Sequence, residues 1–91
     1  MTRDLTRPYR ISSSAEFREF LRLLKQEVFR GAFRQLWPKR GWLSEEAISK
    51  IPEDGPWPDY IEMHFEAAKS GERYRLSVET YHGAGGTWER A

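Results

Sequence analysis

The chain has 91 residues, of which 15 are Lys or Arg and 14 are Asp or Glu, so its formal net charge is +1. It has no cysteine, which excludes disulfide frameworks, thiol catalysis and Cys-ligated zinc. No apolar run approaches the ~18 residues that a membrane span needs.

The near-neutral total hides an uneven distribution of charge along the chain. Residues 1–42 hold ten basic and four acidic residues, a formal +6, whereas residues 43–91 hold five basic and ten acidic residues, a formal −5. We expect residues 1–91 to form a single α+β domain in the cytoplasm. Its basic and acidic surfaces are expected to point away from each other, which predicts salt-sensitive association.

The first predicted element is a short strand near the N-terminus. Leu5, Tyr9 and Ile11 share one parity, which is the period-two pattern of a strand. Pro8 has no backbone N–H to donate to a neighbouring strand. This strand is therefore expected at an edge of the sheet.

A long amphipathic helix is predicted next. Ser13 and Glu16 have the spacing of a capping box at a helix start. Apolar residues with helical spacing follow, namely Phe17, Phe20, Leu21, Leu24 and Val28. Phe29 and Phe33 lie off this apolar stripe, so either the helix ends near Phe29, with Gly31 as its stop, or its second face is also covered.

The stretch from Phe29 to Leu43 contains no acidic residue and mixes basic with aromatic side chains, with a loop predicted at Pro38. This pattern is typical of surfaces that neutralise phosphates and stack bases. The candidate nucleic-acid-binding residues are Arg30, Arg34, Trp37, Lys39, Arg40 and Trp42. Alternatively, the aromatic residues lie in the core and the basic residues form a solvated rim. The sequence pI of about 8.1 favours this second interpretation, because nucleic-acid-binding domains typically exceed about 9.

A second, short helix is predicted from Ser44 to about Ile51. Ser44 can cap its first turn, and Glu45 and Glu46 suit the positive end of the helix dipole. Pro52 is expected to end this helix, and residues 53–58 are predicted to form a loop because they are rich in Gly and Pro.

The last third of the chain is predicted to form an antiparallel β-meander. Apolar and polar residues alternate over residues 60–67 and 74–81, and Ser70-Gly71 is the expected tight turn between them. A third, short strand is expected after the loop at residues 83–86. The predicted architecture is therefore α+β in the order β-α-α-β-β-β, with one face of the meander packed on the long helix.

Pairing of apolar residues sets the predicted register of the meander. The predicted cross-strand pairs are Phe65–Leu76, Met63–Val78, Ile61–Thr80, Tyr81–Trp88 and Glu79–Arg90. A one-residue slip of the first two strands would place apolar residues opposite polar ones, which a sheet with one buried face disfavours.

This register predicts a candidate site on the second face of the sheet. The candidate binding residues are Tyr60, Glu62, His64, Glu79, Tyr81, Trp88 and Arg90. Glu62 is expected directly opposite Glu79, with Arg90 as the counter-charge. The arrangement fits an ordinary solvated surface network, a contact face for a protein, or a site for an organic cation between aromatic rings and carboxylates.

No catalytic motif is recognisable in the sequence. Glu62 and Glu79, expected ~5 Å apart at Cβ, approach the carboxylate separation of a retaining glycosidase, but nothing else indicates a sugar cleft. The glycine-rich segment 82–87 lacks the Lys-Ser/Thr pair of a phosphate-binding loop, and a hairpin connection explains it. We expect no enzymatic activity, no metal and no cofactor.

The favoured interpretation is a small non-enzymatic protein that acts through contacts with another protein or with its own copy. An accessory or immunity-type role suits a chain of this kind. Nucleic-acid binding through residues 29–42 and organic-cation binding at the sheet face are the alternatives, and no membrane partner is expected.

Overall fold

One α-helix lies against a five-stranded antiparallel sheet in the computed structural model, which describes residues 4–36, 47–81, 83 and 85–91. The elements are β1 (Tyr9–Ile11), α1 (Ser14–Phe29), β2 (Phe33–Leu36), a 3-10 turn (Ile48–Lys50), β3 (Tyr60–Ala67), β4 (Arg73–Glu79) and β5 (Gly85–Arg90). This arrangement confirms the predicted α+β class.

The two strands that flank α1 in the sequence form the two edges of the sheet. The strand order is β1-β5-β4-β3-β2, so β1 is the edge strand that Pro8 predicts. The 16 residues of α1 span ~24 Å, which exceeds the ~19 Å covered by four strand spacings. The helix is therefore long enough to connect opposite edges while covering the sheet between them.

Both ends of α1 follow the predicted signals. Ser13 Oγ accepts a hydrogen bond from the Glu16 backbone N–H at 3.1 Å, which satisfies one of the free donors of the first turn. The helix ends at Phe29, and Gly31 turns the chain with a φ of +85°, a conformation that glycine adopts without strain. The predicted helix is confirmed at both ends.

The strand β2 was not predicted, because its residues lie inside the basic and aromatic stretch. Phe33 faces Ala67 of β3 and buries its ring, while Arg34 faces Glu66 on the opposite side of the sheet. The predicted order β-α-α-β-β-β therefore lacks one strand. Four residues are too few for a clear alternation pattern.

The predicted short helix is only loosely matched. Residues 44–46 lie outside the described residues, and the described part is the single 3-10 turn at Ile48–Lys50. Ile48 and Ile51 are buried, and the Ile48 N–H donates to Gln35 Oε1 at 2.9 Å. Packing against the core and β2 thus holds this turn.

The connection between β3 and β4 is longer than the predicted tight turn. The Ala67 N–H donates to the Glu72 carbonyl, and the Gly71 N–H donates to the Ala67 carbonyl. Met63 therefore faces Leu76, and Ile61 faces Val78, so the predicted register is wrong by two residues. A two-residue shift keeps every side chain on its predicted face, which is why apolar pairing did not detect it.

The register of β5 differs from the prediction by an odd number of residues, which exchanges its two faces. Trp88 faces Leu76 instead of Tyr81, and Gly86 faces Val78. A Cβ on Gly86 would lie 1.9 Å from the Ser77 carbonyl oxygen, so this pairing requires glycine. The predicted pairs Tyr81–Trp88 and Glu79–Arg90 are wrong.

Trp88 is the centre of the core between α1 and the sheet. Its ring stacks on Tyr74 and lies 5.5 Å from the ring of Phe20 and 5.8 Å from that of Phe33. Its Nε1 donates to the Leu5 carbonyl oxygen at 2.8 Å, which satisfies the one polar atom of the buried indole. This bond ties the segment before β1 to the middle of the sheet.

Candidate functional site

The sheet has a second face, opposite α1, that we call the outer face. Along β3 and β4, residues on the α1 side are buried, whereas most of those on the outer face are half-buried. This difference means that none of the described elements packs over the outer face. It is the part of the sheet that holds most of the predicted site residues.

The strand pairings arrange the outer face in four rows. The first row is Gly85, Glu79 and Tyr60, and the second is Arg10, Thr87, Ser77 and Glu62. The third row is Glu89, Arg75, His64 and Leu36, and the fourth is Arg73, Glu66 and Arg34. Acidic and basic side chains are neighbours in the third and fourth rows, and most side chains of the face are polar.

Tyrosines and carboxylates meet at the first two rows. The Tyr60 hydroxyl donates to Glu62 Oε1 at 3.1 Å, and His64 Nε2 lies 3.3 Å from Glu62 Oε2. Tyr60 is 56% exposed, and Tyr81, just beyond β4, is 69% exposed. Two phenol rings are thus accessible at one end of the face.

Glu62 and Glu79 are not directly opposite each other. Glu62 faces Ser77, and Glu79 faces Tyr60, so the two carboxylates are diagonal neighbours, for which the Cα separation is ~7–8 Å. The predicted direct opposition is wrong, and this geometry removes the need for a counter-charge from Arg90.

Arginine–carboxylate pairs occupy the third and fourth rows. Glu66 binds Arg34 through Oε1, and its Oε2 lies 3.7 Å from Arg73 Nε. Arg75 Nη2 donates to Glu89 Oε1 at 2.8 Å, and this bond raises the pKa of the Arg75 guanidinium. These cross-strand contacts hold the side chains of this end in defined positions.

Two predicted site residues lie away from the outer face. Trp88 is 0% exposed in the core. Arg90 lies on the same face of the sheet as Trp88. The Nη2 atom of Arg90 lies 2.7 Å from Glu72 Oε2, which also accepts a hydrogen bond from the Tyr74 hydroxyl. The prediction that placed Trp88 and Arg90 beside Tyr60 is wrong, because β5 pairs in a different register.

Sequence reasoning missed several residues that complete the outer face. They are Arg10, Arg34, Arg73, Thr87 and Glu89. One signal was available for β5, because Trp88 stands between Thr87 and Glu89, and a large aromatic residue between polar ones indicates the buried parity. No comparable signal identified β2, which brings in Arg34.

The described part of the basic and aromatic stretch has mixed surroundings. Phe29 is 93% exposed, whereas Arg30 lies 3.2 Å from Glu27, and Arg34 is bound to Glu66. The other candidate residues, Trp37, Lys39, Arg40 and Trp42, lie outside the described residues. An open, mainly apolar cavity of about 550 Å³ adjoins Phe29 between the end of α1 and the 3-10 turn.

The expected separation of basic and acidic surfaces is wrong. Arg18 of α1 lies 2.9 Å from Asp54, and Arg22 lies 3.0 Å from Glu53, so the basic side of the helix is paired with the acidic loop after the 3-10 turn. The outer face likewise holds both charge types in contact. Charge is therefore mixed within each surface.

Comparison with protein families, curated proteins and solved structures gave no match for this chain. None of the described helical segments has the length and apolar character that crossing a lipid bilayer demands. In the same residues, no three His, Asp or Glu side chains are grouped so that they could hold a metal ion.

Proposed function

We propose that the chain is a small non-enzymatic binding protein that acts through protein contacts made by its outer face. The observation that carries this proposal is the exposure of Tyr60 and Tyr81 at one end of a face that no described element covers. Tyrosine is enriched in protein interfaces because its ring contributes apolar area and its hydroxyl a hydrogen bond.

The fixed positions of the polar side chains support the same proposal. Glu62 accepts from Tyr60, Glu66 contacts two arginines, and Arg75 is bound to Glu89. Side chains that are already held in place lose less conformational entropy on association than mobile ones do. The outer face is thus better prepared for contact than a surface of unpaired long side chains.

The experiment that tests this proposal compares the proteins that co-purify with the tagged chain and with Tyr60→Ser/Tyr81→Ser. Phe29→Ser is the matched control, because it also removes an exposed ring but lies at the end of α1. We expect the tyrosine variant to lose the co-purified proteins and the control to keep them. An unchanged set for the tyrosine variant would instead indicate a solvated surface.

Nucleic-acid binding is a second candidate, and the exposure of the Phe29 ring at the start of the acid-free stretch favours it. Arg30 and Arg34 are each paired with a carboxylate, which offsets part of their attraction for phosphate. This candidate predicts salt-dependent retention on an oligonucleotide column that Lys39→Glu/Arg40→Glu abolishes. No retention at low salt would overturn it.

Organic-cation binding is a third candidate, which the contact of Glu62 with the exposed Tyr60 favours. A carboxylate beside aromatic faces attracts an ammonium group through charge and cation–π interaction. The candidate predicts that amines raise the melting temperature of the protein and that Glu62→Gln removes this rise. An equal rise in the variant would contradict it.

A further inference from the structure

The charges of the outer face are arranged so that two copies of the face complement each other. The first and second rows hold two carboxylates, Glu79 and Glu62, and one guanidinium, Arg10. The third and fourth rows hold three guanidinium groups and two carboxylates. One end of the face is therefore net negative by one charge, and the other end is net positive by one.

We propose that the partner of the outer face is a second copy of this chain. The two copies are related by a two-fold axis that lies between the stacked sheets, runs perpendicular to the strands, and passes between the second and third rows. This inference rests on the proposed function and names the partner for the same face. Rotation about this axis lays each strand over its own equivalent in the opposite direction. It exchanges the first row with the fourth and the second with the third.

The exchange places opposite charges over each other on β4, where Glu79 lies over Arg73 of the second copy. On β3, Glu62 lies over His64 of the second copy, whose imidazole can donate a hydrogen bond to the carboxylate. Each contact occurs twice, because an isologous interface repeats every pair. Packed sheets lie ~10 Å apart, a gap that a glutamate and an arginine reaching from opposite sides can bridge.

A two-fold axis that runs along β4 is disfavoured by the same charges. An axis of that kind along β4 would place each β4 residue over its own equivalent, so that Glu79 would meet Glu79, and Arg73 and Arg75 would meet themselves. Like charges that meet at an interface are strongly unfavourable. The axis across the strands avoids these like-charge contacts and places Glu79 over Arg73.

The size of the face predicts a weak dimer. Four strand spacings give a width of ~19 Å, and the seven residues of β4 give a length of ~24 Å, or ~450 Å² per copy. The total of ~900 Å² lies below the ~1,200 Å² of stable standard-size interfaces. We therefore expect weak dimerisation that added salt weakens further, because charge pairs contribute to the contact.

A charge exchange tests this dimer by sedimentation velocity over a range of protein concentrations. Glu79→Arg and Arg73→Glu are each expected to be monomeric at concentrations where the wild type dimerises, since each variant meets itself with two like-charge contacts. An equimolar mixture of the two variants is expected to restore the dimer, because both contacts then join opposite charges. Glu19→Arg, on the exposed side of α1, is the control that leaves dimerisation unchanged.

Two results would overturn the inference. One is a wild type that stays monomeric up to millimolar concentration, and the other is a dimer that both variants leave intact. If the wild type is monomeric but Tyr60→Ser/Tyr81→Ser still loses its co-purified proteins, the proposed function stands and the outer face has a different partner.

The dimer can still be tested if either charge-reversed variant folds poorly. Arg73→Glu lies beside Glu66, so the melting temperature of each variant is measured first. If a charge-reversed variant is destabilised, Glu79→Gln and Arg73→Gln test the same contact. Each is expected to weaken dimerisation about ten-fold, which corresponds to ~1.4 kcal/mol, and an unchanged dissociation constant for both would overturn the inference.

Discussion

Tyr74 and Trp88 stack face to face between β4 and β5, with ring centroids 5.2 Å apart and an interplanar angle of 3°. Both rings are buried, and the polar atom of each is satisfied: the Tyr74 hydroxyl donates to Glu72, and the Trp88 Nε1 donates to the Leu5 carbonyl. The pair joins the core to both a carboxylate at the rim and the segment before β1.

Trp88→Ala is expected to lower the free energy of unfolding by ~3–5 kcal/mol, because it removes the largest side chain of the core and its contacts with four other rings. Trp88→Phe keeps an aromatic ring but leaves the Leu5 carbonyl unpaired, and it should cost less. Urea unfolding followed by circular dichroism measures both. A loss below ~1 kcal/mol for Trp88→Ala would contradict this role.

Gly86→Ala is expected to destabilise the protein by ~1–3 kcal/mol or more, as overpacking does. Its Cβ would lie 1.9 Å from the Ser77 carbonyl oxygen and 2.7 Å from the Val78 Cα, and both are backbone atoms that cannot rotate away. Gly85→Ala is the matched control, since its nearest contact is the Ile11 carbonyl oxygen at 4.0 Å. Thermal unfolding should separate the two variants, and equal melting temperatures would contradict the observed β4–β5 register.

Ser13→Ala is expected to cost ~1 kcal/mol of stability, because the Glu16 N–H loses its acceptor at the start of α1. Ser12→Ala is the neighbouring control, in an exposed position before the cap. Chemical denaturation of both variants measures the difference. Equal stability of the two would show that Ser13 does not act as the cap.

The protein is expected to become less stable at alkaline pH because the buried hydroxyl of Tyr74 ionises. Burial raises the pKa of its hydroxyl above the ordinary value of 10.0, and the hydrogen bond to Glu72 acts in the same direction. A raised pKa means that folding favours the protonated form of Tyr74. The stabilisation that comes from this preference is fully present below pH 10.0 and is lost as the pH rises through the folded-state pKa. Melting temperatures measured across this range should fall less in Tyr74→Phe than in the wild type, and an identical fall would contradict the assignment.

The helix could be predicted from the sequence, and so could the alternate residues of β3 and β4 that are buried, because both follow from local periodicity. The cap at Ser13 and the turn at Gly31 depend on residues within a few positions of each other. Alternation over β3 and β4 likewise indicates which side chains face the core.

The registers could not be predicted, because they depend on contacts between distant residues. A two-residue shift between β3 and β4 preserves both faces, so the connection between Ala67 and Arg73 decides the register. The position of β5 depends on the close approach of Gly86 to Ser77 and on the bond from Trp88 to Leu5, 83 residues away.

The composition of the candidate site follows from those registers. Tyr60, Glu62, His64 and Glu79 were placed on the correct face by parity alone. Arg34 of the fourth row was missed, because it belongs to a strand of four residues that alternation did not reveal. The charge pattern that favours a second copy is therefore a property of the assembled sheet.

The most direct test of the outer face as a contact surface is the concentration dependence of the backbone amide NMR spectrum. On dilution at low salt, we expect shift changes at outer-face positions of β3 and β4, such as Glu62, His64, Arg75 and Ser77, and none along α1. Changes confined to α1, or a spectrum that is independent of concentration, would contradict self-association through the outer face.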